Sequence, residues 1–268
     1  MVSIDNVNES SLKKIKKYGF SELPIKSEKE IARYKGISTL VLYKTGKLLI
    51  QGSSNNIKET KKIAEYLGIG KKPKFSGVAV GTDETLKGDT FGGLVVCGFK
   101  ADDQIRNNLK ELGVKDSKSM LNPDIVKLAK TLIEKYPKNY HVENLSPKDY
   151  NKLNVKMNVT QIMDLLHKKC YTKLARTAVH IVDKYPGCSV GNIMETKAES
   201  KYYEVAAASI IARYFGLMQI RTLEMKAGFF IPFGSSNVES ALLEIRKKSL
   251  DPSKLVKMKF RNVIRFFE

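Results

Sequence analysis

Asp83 and Glu84 stand side by side at the end of an apolar run and lead straight into a glycine-containing turn, within GTDETLKGDTFGG at residues 81–93. Two adjacent carboxylates leaving a strand for a tight turn can hold hard divalent cations. Two further acidic residues occupy comparable places. Asp183 follows the apolar run AVHIV of residues 178–182, where a strand meets a turn and presents a ligand at the edge of a sheet. Glu199 opens ESKYYEVAAASIIAR, residues 199–213, which reads as a helix whose dipole favours a carboxylate in its first turn. Oxygen donors without His or Cys select Mg²⁺ or Mn²⁺, and two such ions activate water and stabilise the leaving oxygen of a phosphodiester.

Taken singly, each residue has a plainer reading: a first-turn glutamate as a helix-terminus partner, a strand-end aspartate as a turn former. Together they point to metal-assisted chemistry. His141, His167 and His180 are scattered, and no Ser-His-Asp or Cys-His set assembles from the spacing. His167, on a long helix, reads as a core histidine rather than a proton shuttle.

The balance of charge names the class of partner. With 47 Lys and Arg against 28 Asp and Glu, the 268-residue chain carries +19, which favours polyanions through counterion release. The excess is uneven: residues 1–74 hold 16 basic and 7 acidic side chains, a balance of +9. Cys97, Cys170 and Cys188 are odd in number and widely spaced, suggesting neither a disulfide framework nor a zinc site. A reducing cytoplasm fits, and neither a signal-type N-terminus nor a run long enough for a membrane span is seen.

The elements that must position the carboxylates follow from periodicity. Residues 38–52 read as a β-hairpin turning at Thr45-Gly46, preceded by helical residues 9–19 and followed by an amphipathic helix over 57–67 with Ile63, Ala64 and Leu67 inward. This is a small basic α+β module over residues 1–70. Residues 68–74, rich in Gly, Pro and Lys, read as a linker. Beyond it, strands near 76–82, 92–99, 139–143, 178–183 and 191–196 alternate with helices over 102–112, 122–135, 158–176, 198–222 and 236–248, giving an α/β domain around a mixed sheet over residues 75–268.

The run at residues 81–93 resembles the G-x-D-E-x-G-x-G-D-x-F-G-P signature of the type 2 ribonucleases H, and of ribonuclease HIII in particular. GVKDSK at 113–118, the strand ending at Asp183 and the run from Glu199 agree in order. YKTGKLLIQG at 43–52 resembles the hairpin of the TATA-binding-protein-like domain that separates ribonuclease HIII from ribonuclease HII. The resemblance implies a ribonuclease H-like fold and endonucleolytic cleavage of the RNA strand of RNA–DNA hybrids, leaving 5′-phosphate and 3′-hydroxyl ends. It makes Asp83, Glu84, Asp183 and Glu199 the catalytic and metal-holding carboxylates for two Mg²⁺ or Mn²⁺ ions. It assigns nucleic-acid contacts to Lys87, Gly88, Ser117 and Lys118, and to Lys47, Leu49 and Gln51 on the outer face of the hairpin. A monomer with no obligate protein partner is the default.

The chain departs from the family pattern in four places. Leu86-Lys87-Gly88 replaces Gly-x-Gly, and a leucine takes positive φ less cheaply than glycine. Gly93 replaces a proline, which is expected to loosen the turn. Lys168 and Lys259 stand where Asn and His are common. Two rival functions follow: incision at single ribonucleotides in DNA, as in ribonuclease HII, or a catalytically silent nucleic-acid binder. A basic ribosome-associated protein would explain the charge but not the acidic cluster.

Overall fold

A computed structural model describes residues 1–4, 7, 9–69, 76–114 and 120–268, with the side chain of Ser11 also left aside. The chain divides into two compact units, Met1–Lys74 and Phe75–Glu268. Each is built around its own sheet.

The first unit is a five-stranded antiparallel sheet of β1 (Val2–Ile4), β2 (Ser21–Leu23), β3 (Glu30–Lys35), β4 (Thr39–Tyr43) and β5 (Leu48–Gln51), in the order β1-β5-β4-β3-β2. The expected hairpin is β4 and β5, with Gly46 at φ 77° in its turn. Leu40, Leu42, Leu48 and Ile50 are buried against Leu12 and Ile15 and against the helix α2 (Ser54–Tyr66), α1 being Glu9–Lys13. Ile57, Thr60 and Ala64 line the buried face of α2, and Ser53 caps its start by accepting from Asn56 N–H. Strand β3 breaks the usual pattern, with Glu30 buried and Ile31 exposed. Glu30 shares the inner face with Ala32 and Tyr34, beside a register shift against β4, and Arg33 Nη2 meets its carboxylate at 2.6 Å.

The second unit is a mixed sheet in the order β10-β9-β6-β7-β8, with helices on both faces. Its strands are β6 (Ala79–Thr85), β7 (Leu94–Ala101), β8 (Tyr140–Leu145), β9 (Val179–Asp183) and β10 (Ile193–Glu195). The first three run antiparallel in succession, while β9 and β10 join β6 in parallel. The helices are α3 (Asp103–Glu111), α4 (Asn122–Lys135), α5 (Pro147–Lys156), α6 (Val159–Leu174), α7 (Tyr203–Ala227), α8 (Glu239–Lys247) and α9 (Arg261–Phe267). α7 packs on one face with α4 and α8, in a core with Val95, Cys97 and Phe99; α6 packs on the other, with Leu94, Val96 and Val182.

Two features fix what stands at the sheet's end. The parallel register pairs Thr82 with Val182, so Asp83 and Asp183 emerge as neighbours one residue further on. The closeness of α7 to β6 depends on small residues: a Cβ on Gly81 would lie 2.4 Å from the Val205 nitrogen. Between Val205 and Ala212 every residue of α7 is buried, as expected of a helix apolar all round.

Candidate active site

The four sequence-predicted carboxylates meet at one end of this sheet. Asp83 is 6% exposed and Glu199 3%. Asp83 accepts from the Glu84 backbone N–H at 2.8 Å and from the Ser209 hydroxyl on α7. Burial and the charges of Glu84 and Asp183 push its carboxyl well above the ordinary aspartate range. Asp183 accepts from the Ala198 N–H at 2.9 Å and shares a hydrogen bond with Glu199. Burial and then the neighbouring carboxylates raise Asp183 to about 6.

Glu84 is largely covered, its side chain 9% exposed, yet its carboxyl lies below the ordinary glutamate value, because His167 and Lys87 more than offset the burial. Lys87 Nζ reaches Oε1 at 2.6 Å, and His167 Nε2 stands 3.4 Å from Oε2. Lys87, expected to reach toward a phosphate, is instead engaged with a carboxylate and with the ring of Tyr185.

Glu199 requires a correction. It belongs to a short 3₁₀ turn, Ala198–Ser200, and the long helix begins only at Tyr203, so the dipole of α7 is not its support. Lys197, in the left-handed region at φ 57°, makes the tight turn that aims the Ala198 N–H at Asp183. Glu199 is therefore placed by a turn anchored to another carboxylate of the site.

The turn after Glu84 also differs from expectation. Leu86 does adopt a left-handed conformation, φ 64°, at a cost of about 1–2 kcal/mol. Burial offsets that cost: Leu86 is 4% exposed and packs over Gly92 and Gly216. Gly88 is exposed, with nothing near its absent side chain. Gly93 does not loosen the turn. Its N–H, which proline would lack, donates to Gln219 Oε1 at 2.7 Å, and a Cβ there would stand 2.1 Å from the Leu145 carbonyl. The C-terminal segment clamps the same turn, with Lys257 Nζ on the Asp89 carbonyl at 2.5 Å and Gly92 N–H on the Leu255 carbonyl. Burial brings Lys257 down to about 7. Lys259 donates to the Asn154 carbonyl.

Sequence reasoning missed the groups that brace the carboxylates. His167 Nδ1 lies 2.8 Å from the Thr82 hydroxyl, and His180 Nε2 reaches that hydroxyl at 2.9 Å. Two of the three scattered histidines thus meet on one threonine. His180 stacks on Tyr171 with centroids 4.6 Å apart, and burial lowers it to about 3. The signal for His167 was its place on the apolar face of α6 with Ile162, Met163, Leu166 and Cys170.

In the other unit, Leu49 and Gln51 are half-buried on the face of β5 opposite Leu48 and Ile50, and Lys47 is exposed. Ser117 and Lys118 lie outside the described residues.

The oxygen-donor set suits a hard divalent cation. Glu84 Oε2 is buried without a hydrogen-bond partner, and two neighbouring carboxyls are raised in pKa by burial and then by like-charged neighbours, a cost that a cation would relieve. Among the described residues no three acidic, His or Cys side chains converge as a ready-made cage. The carboxylates instead divide, Asp183 with Glu199 and Glu84 with Lys87, as crowded like charges do.

Comparisons with known proteins give the family. The family model for Ribonuclease HII matches residues 80–263. Ribonuclease HIII of Bacillus subtilis is 31% identical over 262 residues, covering 84% of this chain and 83% of the relative. That of Aquifex aeolicus is 32% identical over 229 residues, 81% and 82% of the two chains. Bst-RNase HIII, solved in complex with Mn²⁺, shares the fold at a TM-score of 0.67 and 24% identity over 98% of this chain and 97% of its own. Aquifex aeolicus RNase H3 aligns at 0.57 and 29% identity, over 97% and 100%.

Proposed function

We infer the chemistry of this centre from what the chain is: it belongs to the ribonuclease HII family, among the ribonucleases HIII, and is an endoribonuclease of RNA–DNA hybrids. Asp83, Glu84, Asp183 and Glu199 are the residues we assign to its divalent metal, Mg²⁺ or Mn²⁺. The observation that carries the assignment is the adjacency of Asp83 and Asp183 on the parallel strands β6 and β9, with Glu84 and Glu199 near enough for their charges to raise those two carboxyls.

Held by Asp83, Glu84, Asp183 and Glu199, divalent metal would supply polarisation of the scissile phosphate, activation of the attacking water and charge neutralisation at the departing 3′-oxygen. The protein's own groups prepare that step. Ser209 and the Glu84 N–H hold Asp83, the Ala198 N–H holds Asp183, and Lys87 restrains Glu84. At neutral pH, Asp183, raised to about 6, is mostly ionised and ready to meet a cation.

Substrate grip is assigned to backbone contacts. Gly88 leaves the turn open for close approach of a strand. Lys47, Leu49 and Gln51 present a mixed basic and half-buried face suited to a sugar–phosphate surface. The domain from residue 1 to about 70 would then bind hybrid and residues from 75 onward cut it. Discrimination of RNA from DNA would come from 2′-hydroxyls in the shallow minor groove.

The assay is gel-resolved cleavage of an end-labelled RNA–DNA hybrid beside a DNA duplex holding one ribonucleotide, each with Mg²⁺, Mn²⁺ or EDTA. Metal-dependent cutting within the RNA of the hybrid, ending in 3′-hydroxyls, is expected. Cutting confined to the lone ribonucleotide, or binding without cutting under either metal, would overturn the substrate assignment.

A further inference from the structure

Thr82, the residue before the Asp83-Glu84 pair, has a hydroxyl between two imidazoles, with His167 Nδ1 at 2.8 Å and His180 Nε2 at 2.9 Å. His167 is fully buried, and its other nitrogen, Nε2, faces Glu84 Oε2 across 3.4 Å. Neither of those two atoms has a hydrogen-bond partner, so each is the nearest polar group available to the other. One hydroxyl has one proton, so it donates to one histidine and accepts from the other.

The two arrangements are unequal. If Thr82 donates to His180, His167 must carry its proton on Nδ1, and its bare Nε2 lone pair then points at a carboxylate oxygen. If Thr82 donates to His167 Nδ1, the single ring proton of His167 sits on Nε2, the nitrogen 3.4 Å from Glu84 Oε2, while His180 Nε2–H donates to Thr82. With one proton on the His167 ring, only the second arrangement is attractive at every contact, and it keeps that proton on the nitrogen nearer Glu84. The surroundings hold the chain of bonds in place: the His180 ring stacks on Tyr171, its backbone N–H donates to Asn192 Oδ1 at 2.8 Å, and His167 packs beside Tyr185.

We propose that Thr82, oriented by His180, fixes His167 in the Nε2–H tautomer, and that His167 acts as a positioning residue that holds Glu84 for the metal. The proposal rests on the assignment of Glu84 to the metal centre. It goes beyond that assignment in giving the carboxylate a three-residue support that runs from α6 through β6 to β9. Partners that orient metal-holding carboxylates are commonly worth about 10–100-fold in metal affinity.

The test uses the full chain with ¹⁵N-labelled histidine. Long-range ¹H–¹⁵N correlation spectra in EDTA are expected to show His167 as Nε2–H, with Thr82→Ser alike and Thr82→Val losing that single tautomer. Calorimetric titration with Mn²⁺ alone, without nucleic acid, is expected to give affinity about 10–100-fold weaker in Thr82→Val and His167→Phe. His167→Gln, whose amide can still donate, should recover most of the loss. Circular dichroism confirms that each variant is folded, and hybrid affinity in EDTA should not change.

An Nδ1–H tautomer in the wild type would overturn the proposal, as would Mn²⁺ affinity unchanged in folded Thr82→Val. Asp83→Asn separates this from the parent assignment. If Asp83→Asn also leaves Mn²⁺ binding intact, the metal centre itself is misassigned; if it abolishes binding while Thr82→Val does not, only the positioning role fails.

Discussion

Asp183 carries a free-energy penalty that asparagine would not. Its carboxyl is raised from the ordinary value to about 6, so the folded state keeps a proton that the unfolded chain has already released. Stability from this group is therefore fully present below about pH 4 and is lost as pH rises to about 6. At pH 7 the folded protein bears the full cost of an ionised, crowded carboxylate. Because the group is only about half buried, solvent screening leaves roughly 1–2 kcal/mol of that cost. Asp183→Asn is expected to raise stability in EDTA by that amount at pH 7 and to have little effect at pH 4, measured by urea denaturation, while abolishing cleavage. The strands that carry Asp83, Glu84 and Asp183 were legible in the sequence as local apolar runs, although β6 continues to Thr85, past the pair, and the turn that holds Glu199 was read as the start of a helix that begins only at Tyr203. The supports of the carboxylates were not legible. Ser209, Thr82, His167 and Lys87 act through contacts that depend on which helix crosses which strand, and no spacing rule encodes that.

Helix α7 holds the site together as an element. Its N-terminal end is tied to α3 by Glu204, fully buried, whose carboxylate accepts from Arg106 Nη2 at 3.0 Å and from Nε. Arg106 also donates to the Gly77 carbonyl and to Asp103. Removing one member of such a pair strands the other charge, so Arg106→Met should cost about 3–5 kcal/mol in chemical denaturation. The double change Arg106→Met with Glu204→Met should recover much of that loss. An unchanged single variant would show that the pair does not anchor α7. The helices over 102–112, 122–135, 158–176 and 236–248 were visible as periodic apolar faces. α5 was missed because Pro147 reads as a breaker, although proline suits the first position of a helix and Ser146 caps it. β1, β2 and β3 were missed for other reasons. The first two are three residues long, and β3 turns Ile31 outward and Glu30 inward.

At the scale of the molecule, the chain carries a formal charge of +19, of which residues 1–74 hold +9, while the second unit also holds the acidic centre. The basic surface suits attraction of a polyanion, and the carboxylates suit the cations that make its hydrolysis feasible. No helix among the described residues is long and apolar enough to cross a membrane. The class of partner was legible from composition, and the division into a small basic unit and an α/β unit from the change in pattern near residue 70. The central claim is that the four carboxylates form one metal-dependent centre for cleavage of the RNA strand. Its most direct test is single-turnover cleavage of an end-labelled RNA–DNA hybrid in Mn²⁺, with enzyme saturating, by wild type and Asp83→Asn. The account predicts a loss on the order of a thousandfold or more with hybrid affinity retained, since several kcal/mol of transition-state stabilisation would go with the metal. Cleavage by Asp83→Asn within about tenfold of wild type, a change of only about 1.4 kcal/mol, would contradict it.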